Sequence, residues 1–242
     1  MMDEFQFNQF AEKLKSIEIV PTPAQIDQFQ NYYHLLVEWN QKINLTAITE
    51  LSDVILKHFL DSVIISRYVD LSKIHSCIDI GTGAGFPGIP LAILYPEIQF
   101  TLLDSLNKRI TFLNEVIHAL NLTNVHAFHG RAEEYAGKEM FRESFDLCVS
   151  RAVSKLSVLA EYCIPYIKKD GLFVSYKAEH VEDELADSKH AISLLGGKVV
   201  KVPSFSLFDS DFHRTFVIIK KINNTPKKYP RSSGIPAKKP LV

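Results

Sequence analysis

The chain has 242 residues, 46% of them hydrophobic, enough to bury the core of a single domain and to exclude a disordered or fibrous protein. Cys77, Cys148 and Cys163 are an odd number of thiols at wide spacing with no CxxC pair, which argues against a closed disulfide framework and for a reduced, cytoplasmic setting. The net charge of −1 conceals a basic end, because Lys220, Lys221, Lys227, Lys228, Arg231, Lys238 and Lys239 are not offset by any acid between Lys220 and Val242; such a segment suits either a polyanion or plain solvation.

Taken in chain order, residues 1–70 read as a helical segment packed on the core. Phe29, Tyr32, Tyr33, Leu36 and Val37, then Val54, Ile55, Phe59, Ile64 and Ile65, recur at helical spacing. No export signal or membrane span is expected: the first residues are acidic, and the apolar stretch Phe86 to Pro96 is short and broken by prolines. From residue 71 to 222 short apolar runs alternate with amphipathic segments, the signature of a parallel sheet covered by helices. Seven strands are predicted, at Ser76–Ile80, Gln99–Asp104, Val125–Gly130, Phe145–Ser150, Gly171–Lys177, Val199–Pro203 and Thr215–Lys221. Helices are predicted around Ile110, Leu113, Ile117 and Leu120, over Val153–Ile167, and over Val181–Leu195 with Gly196-Gly197 at the C-cap. Residues 223–242 form a basic, Pro-containing tail.

The first strand enters Gly81-Thr82-Gly83-Ala84-Gly85-Phe86-Pro87-Gly88, and apolar helical residues follow. Glycines there allow backbone N–H groups and a helix start to approach a ligand closely. The dinucleotide fingerprint G-x-G-x-x-G would need glycine at position 86, and Phe86 stands there instead. The G-x-G-x-G pattern with Asp79 before it resembles class I methyltransferases, whose ligand is the zwitterion S-adenosyl-L-methionine. Asp79 either helps hold the amino-acid end of that ligand or caps the loop's own N–H groups. Asp104, 23 residues after Gly81, has the spacing of the acid that accepts the two ribose hydroxyls. Ala132 and Glu133, after the third strand, are placed to meet the adenine, although Glu133 also fits as a first-turn acid.

The order and spacing of several segments extend the likeness over nearly the whole chain. They are Trp39-Asn40-Gln41-Lys42-Ile43-Asn44-Leu45-Thr46, His58-Phe59-Leu60-Asp61-Ser62, Asp79 to Pro90, Lys108-Arg109, Arg131-Ala132-Glu133, Ser150-Arg151-Ala152-Val153 and Tyr229-Pro230-Arg231. Together they resemble the bacterial 16S rRNA guanine-N7 methyltransferases of the RsmG (GidB) family; Gln41 departs from a basic residue found in many members. The resemblance implies a Rossmann-like α/β fold, cofactor contacts at Gly81, Phe86, Asp104, Ser105, Ala132, Glu133 and Arg151, and 16S ribosomal RNA as partner, within a small subunit or an assembly intermediate.

The residues themselves agree with that target without reaching its detail. Ser150-Arg151-Ala152-Val153 is not the polar-Pro-Pro-aromatic motif that orients an exocyclic amine. Cys148 and Cys163 fall in a predicted strand and helix, so burial suits them better than attack on a pyrimidine. Guanine N7 carries a lone pair and no proton, so positioning is its main requirement. Arg151, at the end of the fourth strand, is expected to contact cofactor carboxylate or RNA phosphate, or to pair with Asp79 or Asp104; Lys177 is a candidate of the same kind. Lys227, Lys228 and Arg231 are the tail's candidate RNA contacts. The nine histidines show no metal spacing, and His58 reads as a helix-surface or buried structural residue. A small-molecule methyltransferase and a non-catalytic RNA-binding protein are the competing readings; the basic tail argues against the first, and the intact loop with Asp104 and Arg151 against the second.

Overall fold

The computed structural model describes residues 2–241, with the side chain of Met2 excepted. In chain order it comprises α1 (Met2–Lys15), α2 (Pro23–Asn40), α3 (Leu51–Val54) running through a π-helical turn at Ile55–Leu60 into α4 (Asp61–Val63), β1 (Ser76–Ile80), α5 (Gly88–Leu94), β2 (Gln99–Asp104), α6 (Asn107–Ala119), β3 (Val125–His129), α7 (Ala132–Tyr135), β4 (Phe145–Arg151), α8 (Leu156–Cys163), β5 (Ile167–Lys177), α9 (Glu182–Leu194), β6 (Gly197–Lys201), β7 (Ser204–Ser206), β8 (His213–Lys221) and α10 (Ile235–Lys238).

The strands form one sheet in the order β3-β2-β1-β4-β5-β8-β6, with β7 also on β8. The first five of that order run parallel, while β8 is antiparallel to β5, β6 and β7. Strand order reverses on either side of β1, so a crevice opens beyond the carboxyl ends of β1 and β4, where ligands sit in open α/β sheets. The sheet has eight strands rather than the predicted seven. The unread one, β7, is only Ser-Phe-Ser, too short and polar to show an alternation. β5 also begins four residues before its predicted start, through the charged Lys168, Lys169 and Asp170.

Alternation along the strands divides the core. Cys77 packs on one face with α1, α2, α5 and α6, while Ile78 and Ile80 pack on the other with α8 and α9. α2 starts at a capping box: Thr22 Oγ1 accepts from the Gln25 N–H at 3.2 Å, and Gln25 Oε1 accepts from the Thr22 N–H at 2.8 Å. Gln25 Nε2 then donates to the Ile93 carbonyl at the end of α5. Tyr32 completes this join, its hydroxyl donating to Ala84 O at 2.5 Å inside the glycine loop. The N-terminal helices thus form one wall of the crevice.

The tail lies across the α8 face. Arg142 donates to the carbonyls of Thr225 and Tyr229, and Thr225 and Tyr229 are buried. Arg231 donates through Nε and Nη2 to both carboxylate oxygens of Glu161, at 2.9 to 3.1 Å and 2.6 Å, and Glu161 is wholly buried. Its guanidinium anchors the tail to the fold through Nε and Nη2, which is where the structure places this candidate RNA contact.

Candidate active site

Gly81, Gly83 and Gly85 have φ of +70°, +63° and +101°, a region closed to most side chains. A Cβ on Gly85 would lie 2.6 Å from Ile89 and 2.7 Å from the Tyr32 hydroxyl, whereas one on Gly83 would meet nothing within 4 Å. Gly85 is thus a packing requirement, and Gly83 leaves its backbone open to a ligand. Asp79 is fully buried beneath the loop. Its Oδ2 accepts from Thr82 Oγ1 at 2.7 Å and from the Gly88 N–H at 2.9 Å, and burial raises its pKa to about 7. It staples the loop as its own cap and does not line the crevice.

Asp104 ends β2 at the crevice floor. Its Oδ2 accepts from the Gly83 N–H at 2.9 Å and from Arg109 Nη1 at 3.1 Å, while Oδ1 accepts from the Leu106 N–H at 2.9 Å. A carboxylate offers about four acceptor positions, so capacity for a hydroxyl remains. A cavity of about 350 Å³ surrounds it, walled by Gly81, Gly83, Phe86, Ser105, Arg151 and the segment Leu45-Thr46. Five residues named from the sequence, Gly81, Phe86, Asp104, Ser105 and Arg151, therefore meet in one place.

Ala132 and Glu133 open α7, just after the neighbouring strand β3, and stand outside that lining. Gly130 N donates to Asp104 O at 3.0 Å and so joins the two strand ends. The Glu133 carboxylate accepts from the Gly234 N–H at 2.8 Å, a contact from the tail that nothing in the local sequence announces.

Arg151 pairs with neither Asp79 nor Asp104. Its Nη1 donates to Asp61 Oδ2 at 2.7 Å and to the Lys57 carbonyl at 3.2 Å, so the expected partners are corrected to the His58–Ser62 segment. Arg214 Nε donates to the other oxygen of Asp61 at 2.9 Å. The Asp61 carboxylate is fully buried, and two guanidiniums compensate it. His58 lies against Arg151 and stacks on Phe86, ring centroids 4.5 Å apart. Burial, reinforced by Arg151, lowers its pKa to about 4. Its Nε2 is 2.9 Å from Thr46 Oγ1 and its Nδ1 is 3.1 Å from the Lys57 carbonyl. That set fits a neutral ring accepting from Thr46 and donating to Lys57, a tautomer assigned from its partners.

A second cavity, of about 410 Å³, adjoins the first and shares His58, Arg151 and Ala152 as walls. Lys177 lies there, donating to Glu184 at 2.7 Å and to the Ser154 carbonyl. Lys227 and Lys228 are exposed on the strap, away from both cavities. Sequence reading missed Asp61 and Arg214 as a pair, because they are 153 positions apart. Only the charge of Arg214 at the start of an apolar strand hints at a partner.

The family described as rRNA small subunit methyltransferase G matches residues 25–212. The chain belongs to this family. Members named ribosomal RNA small subunit methyltransferase G include that of Lachnoclostridium phytofermentans, 52% identical over 96% of each chain. That of Bacillus subtilis is 48% identical over 96% of this chain and 98% of its own. Among solved structures, M. jannaschii TYW2 in complex with AdoMet aligns with a TM-score of 0.50 and 16% identity, over 62% of this chain and 70% of that one. A SAM-dependent O-methyltransferase from Thermotoga maritima aligns at 0.52 and 14%, over 79% and 72%. These two share the fold. As a member of the methyltransferase G family the chain is an S-adenosylmethionine-dependent ribosomal RNA methyltransferase, and the open space at Gly83, beside a buried carboxylate with spare acceptor capacity, fits that cofactor.

Proposed function

We propose that the chain methylates N7 of a guanine in 16S ribosomal RNA, in the cytoplasm, on a small subunit or an intermediate of its assembly. The observation that carries the choice of N7 is that the carboxylates and the imidazole facing the two cavities are engaged within the fold, with Asp104 keeping room only for the ribose hydroxyls it is assigned here. Asp61 is clamped by Arg151 and Arg214, Asp104 is held by Gly83, Leu106 and Arg109, and His58 is neutral with both nitrogens engaged. Abstraction of a proton needs a base within reach. N7 presents a lone pair and asks for none.

Bound S-adenosylmethionine supplies an electrophilic methyl group on a sulfonium centre. In this reading Asp104 accepts the ribose hydroxyls, Gly81, Gly83 and Ser105 receive the ligand along the loop, and Ala132 and Glu133 meet the purine. Phe86, fixed between His58 and Tyr32, closes the cavity wall and excludes water. Arg151 stands where the two cavities meet and orients the RNA. Holding two reactants in line contributes roughly 7–11 kcal/mol in well-oriented systems, so positioning alone suffices for such a site.

The test is incubation of the protein and labelled S-adenosylmethionine with 16S ribosomal RNA, followed by borohydride reduction and aniline. N7 alkylation labilises the imidazole ring, and strand cleavage at one guanine is expected. Label in the RNA without cleavage would overturn the N7 assignment and leave the methyltransferase.

A further inference from the structure

The second cavity has features that the cofactor does not use. Phe212 lines it with a half-buried ring, and two cations lie over that ring: Lys57 Nζ at 5.1 Å and Arg214 Cζ at 4.6 Å from the centroid. Lys57, Arg151, Lys177 and Arg214 bring four positive side chains to the wall, against one carboxylate, Asp61. Asp53 and Glu184 pair with Lys57 and Lys177 from outside the lining. About 410 Å³ falls within the range of ligand pockets, roughly 300–1,000 Å³. The cavity shares His58, Arg151 and Ala152 with the cofactor space, so the two lie side by side.

A base inside folded RNA has to be taken out of its stack before an enzyme can reach it, and it is then received between apolar or aromatic faces with its phosphates on cations. We propose that this cavity takes the unstacked target guanine, with Phe212 as the face on which the base lies and with Lys57, Lys177 and Arg214 meeting the flanking phosphates. The inference rests on the proposed RNA substrate and adds where that substrate binds. Its particular content is Phe212, a residue of no motif, which determines affinity for RNA and has no part in holding the cofactor. The Asp61 carboxylate gives the arrangement its rigidity: Arg151 and Arg214 each spend a donor on it and are held at fixed positions, with further N–H groups of each fork left to meet phosphate.

The experiment uses the full chain with 16S ribosomal RNA and S-adenosylhomocysteine as probes. Phe212→Leu keeps an apolar filler but removes the flat face; Phe212→Trp keeps the face. Stacking of one base on an aromatic ring carries a free energy equivalent to roughly 5- to 150-fold in affinity. Phe212→Leu should therefore lower kcat/KM for 16S RNA by about 10- to 100-fold, mainly through KM. Its melting temperature and S-adenosylhomocysteine affinity should match those of the wild type, and Phe212→Trp should retain most of the activity. Unchanged kcat/KM in Phe212→Leu, or a parallel loss of cofactor affinity and melting temperature, would overturn the assignment and give Phe212 a packing role. The wild type is read separately: if it gives no aniline-sensitive guanine, the N7 reading fails first and the guanine site with it.

Discussion

Asp61 accepts hydrogen bonds from two arginines that lie far apart in sequence, Arg151 on one oxygen at 2.7 Å and Arg214 on the other at 2.9 Å. The carboxylate lies on the short helical segment after the π turn, whereas the arginines end β4 and begin β8. One buried anion thereby ties the N-terminal helices to both halves of the sheet. Asp61→Ala should destabilise the protein by about 3–5 kcal/mol, because it leaves two partly buried cations without their counter-charge. Arg214→Met should cost less, since Arg151 still pairs with the acid. Urea denaturation monitored by circular dichroism checks both.

Asp104→Ala should weaken S-adenosylhomocysteine binding by about 1.5–3 kcal/mol, measured by calorimetry. The same carboxylate holds the Gly83 N–H, so the loss should include a loosened loop. Asp104→Asn keeps an acceptor for that N–H and should fall between the wild type and Asp104→Ala.

Asp79 gives the protein a pH dependence of unusual sign. With a folded pKa near 7, raised by burial above 3.8, the native state holds its proton over a range in which the unfolded chain has released it. The stability this group contributes is full below about pH 4 and is lost as pH rises through 7. Asp79→Asn removes that loss, so its melting temperature should gain on the wild type between pH 4 and pH 7, by on the order of a few kcal/mol in stability. His58, lowered from 6.5 to about 4, acts in the opposite direction, since its contribution is full above pH 6.5 and is lost as pH falls towards 4. It is common to both proteins and cancels in the difference. A constant difference across that range would show that Asp79 is ionised in the fold.

Arg231→Ala leaves Glu161 buried without its partner and should cost about 3–5 kcal/mol. Cofactor affinity should fall with it, because the segment that Arg231 anchors also carries the Gly234 N–H bonded to Glu133. The slope of log RNA affinity against log salt should not change. Replacing Lys227, Lys228, Lys238 and Lys239 with Ala should instead flatten that slope by about 0.7 for each lysine that neutralises a phosphate on single-stranded RNA, with the melting temperature unchanged. These two variants separate the tail's packing from its charge.

Much of this was legible from residues alone, for identifiable reasons. β1 and β2 occupy the predicted spans Ser76–Ile80 and Gln99–Asp104, because each is an apolar run ending at a loop. The family resemblance named Gly81, Phe86, Asp104, Ser105 and Arg151, and they meet at one cavity because a glycine loop and the neighbouring strand ends converge in this topology. The partner of Arg151 was not legible, since it depends on how the N-terminal helices dock and on no local pattern. The course of the tail had one overlooked signal. Glu161 stands within the apolar run Leu156–Cys163, and a buried acid requires a cation; Arg231 supplies it from 70 positions away.

The bond from Gly234 to Glu133 spans 101 positions, and that separation sets an order of events during synthesis. A ribosome adds roughly 5–20 residues per second, so about 5–20 s pass between the emergence of Glu133 and the arrival of the strap that holds it. The glycine loop, Asp104 and the parallel strands are already translated by then. Glu133 lies beside the cavity around Asp104 and outside its lining, so the strap fixes this neighbouring carboxylate only after every wall of that cavity has been made.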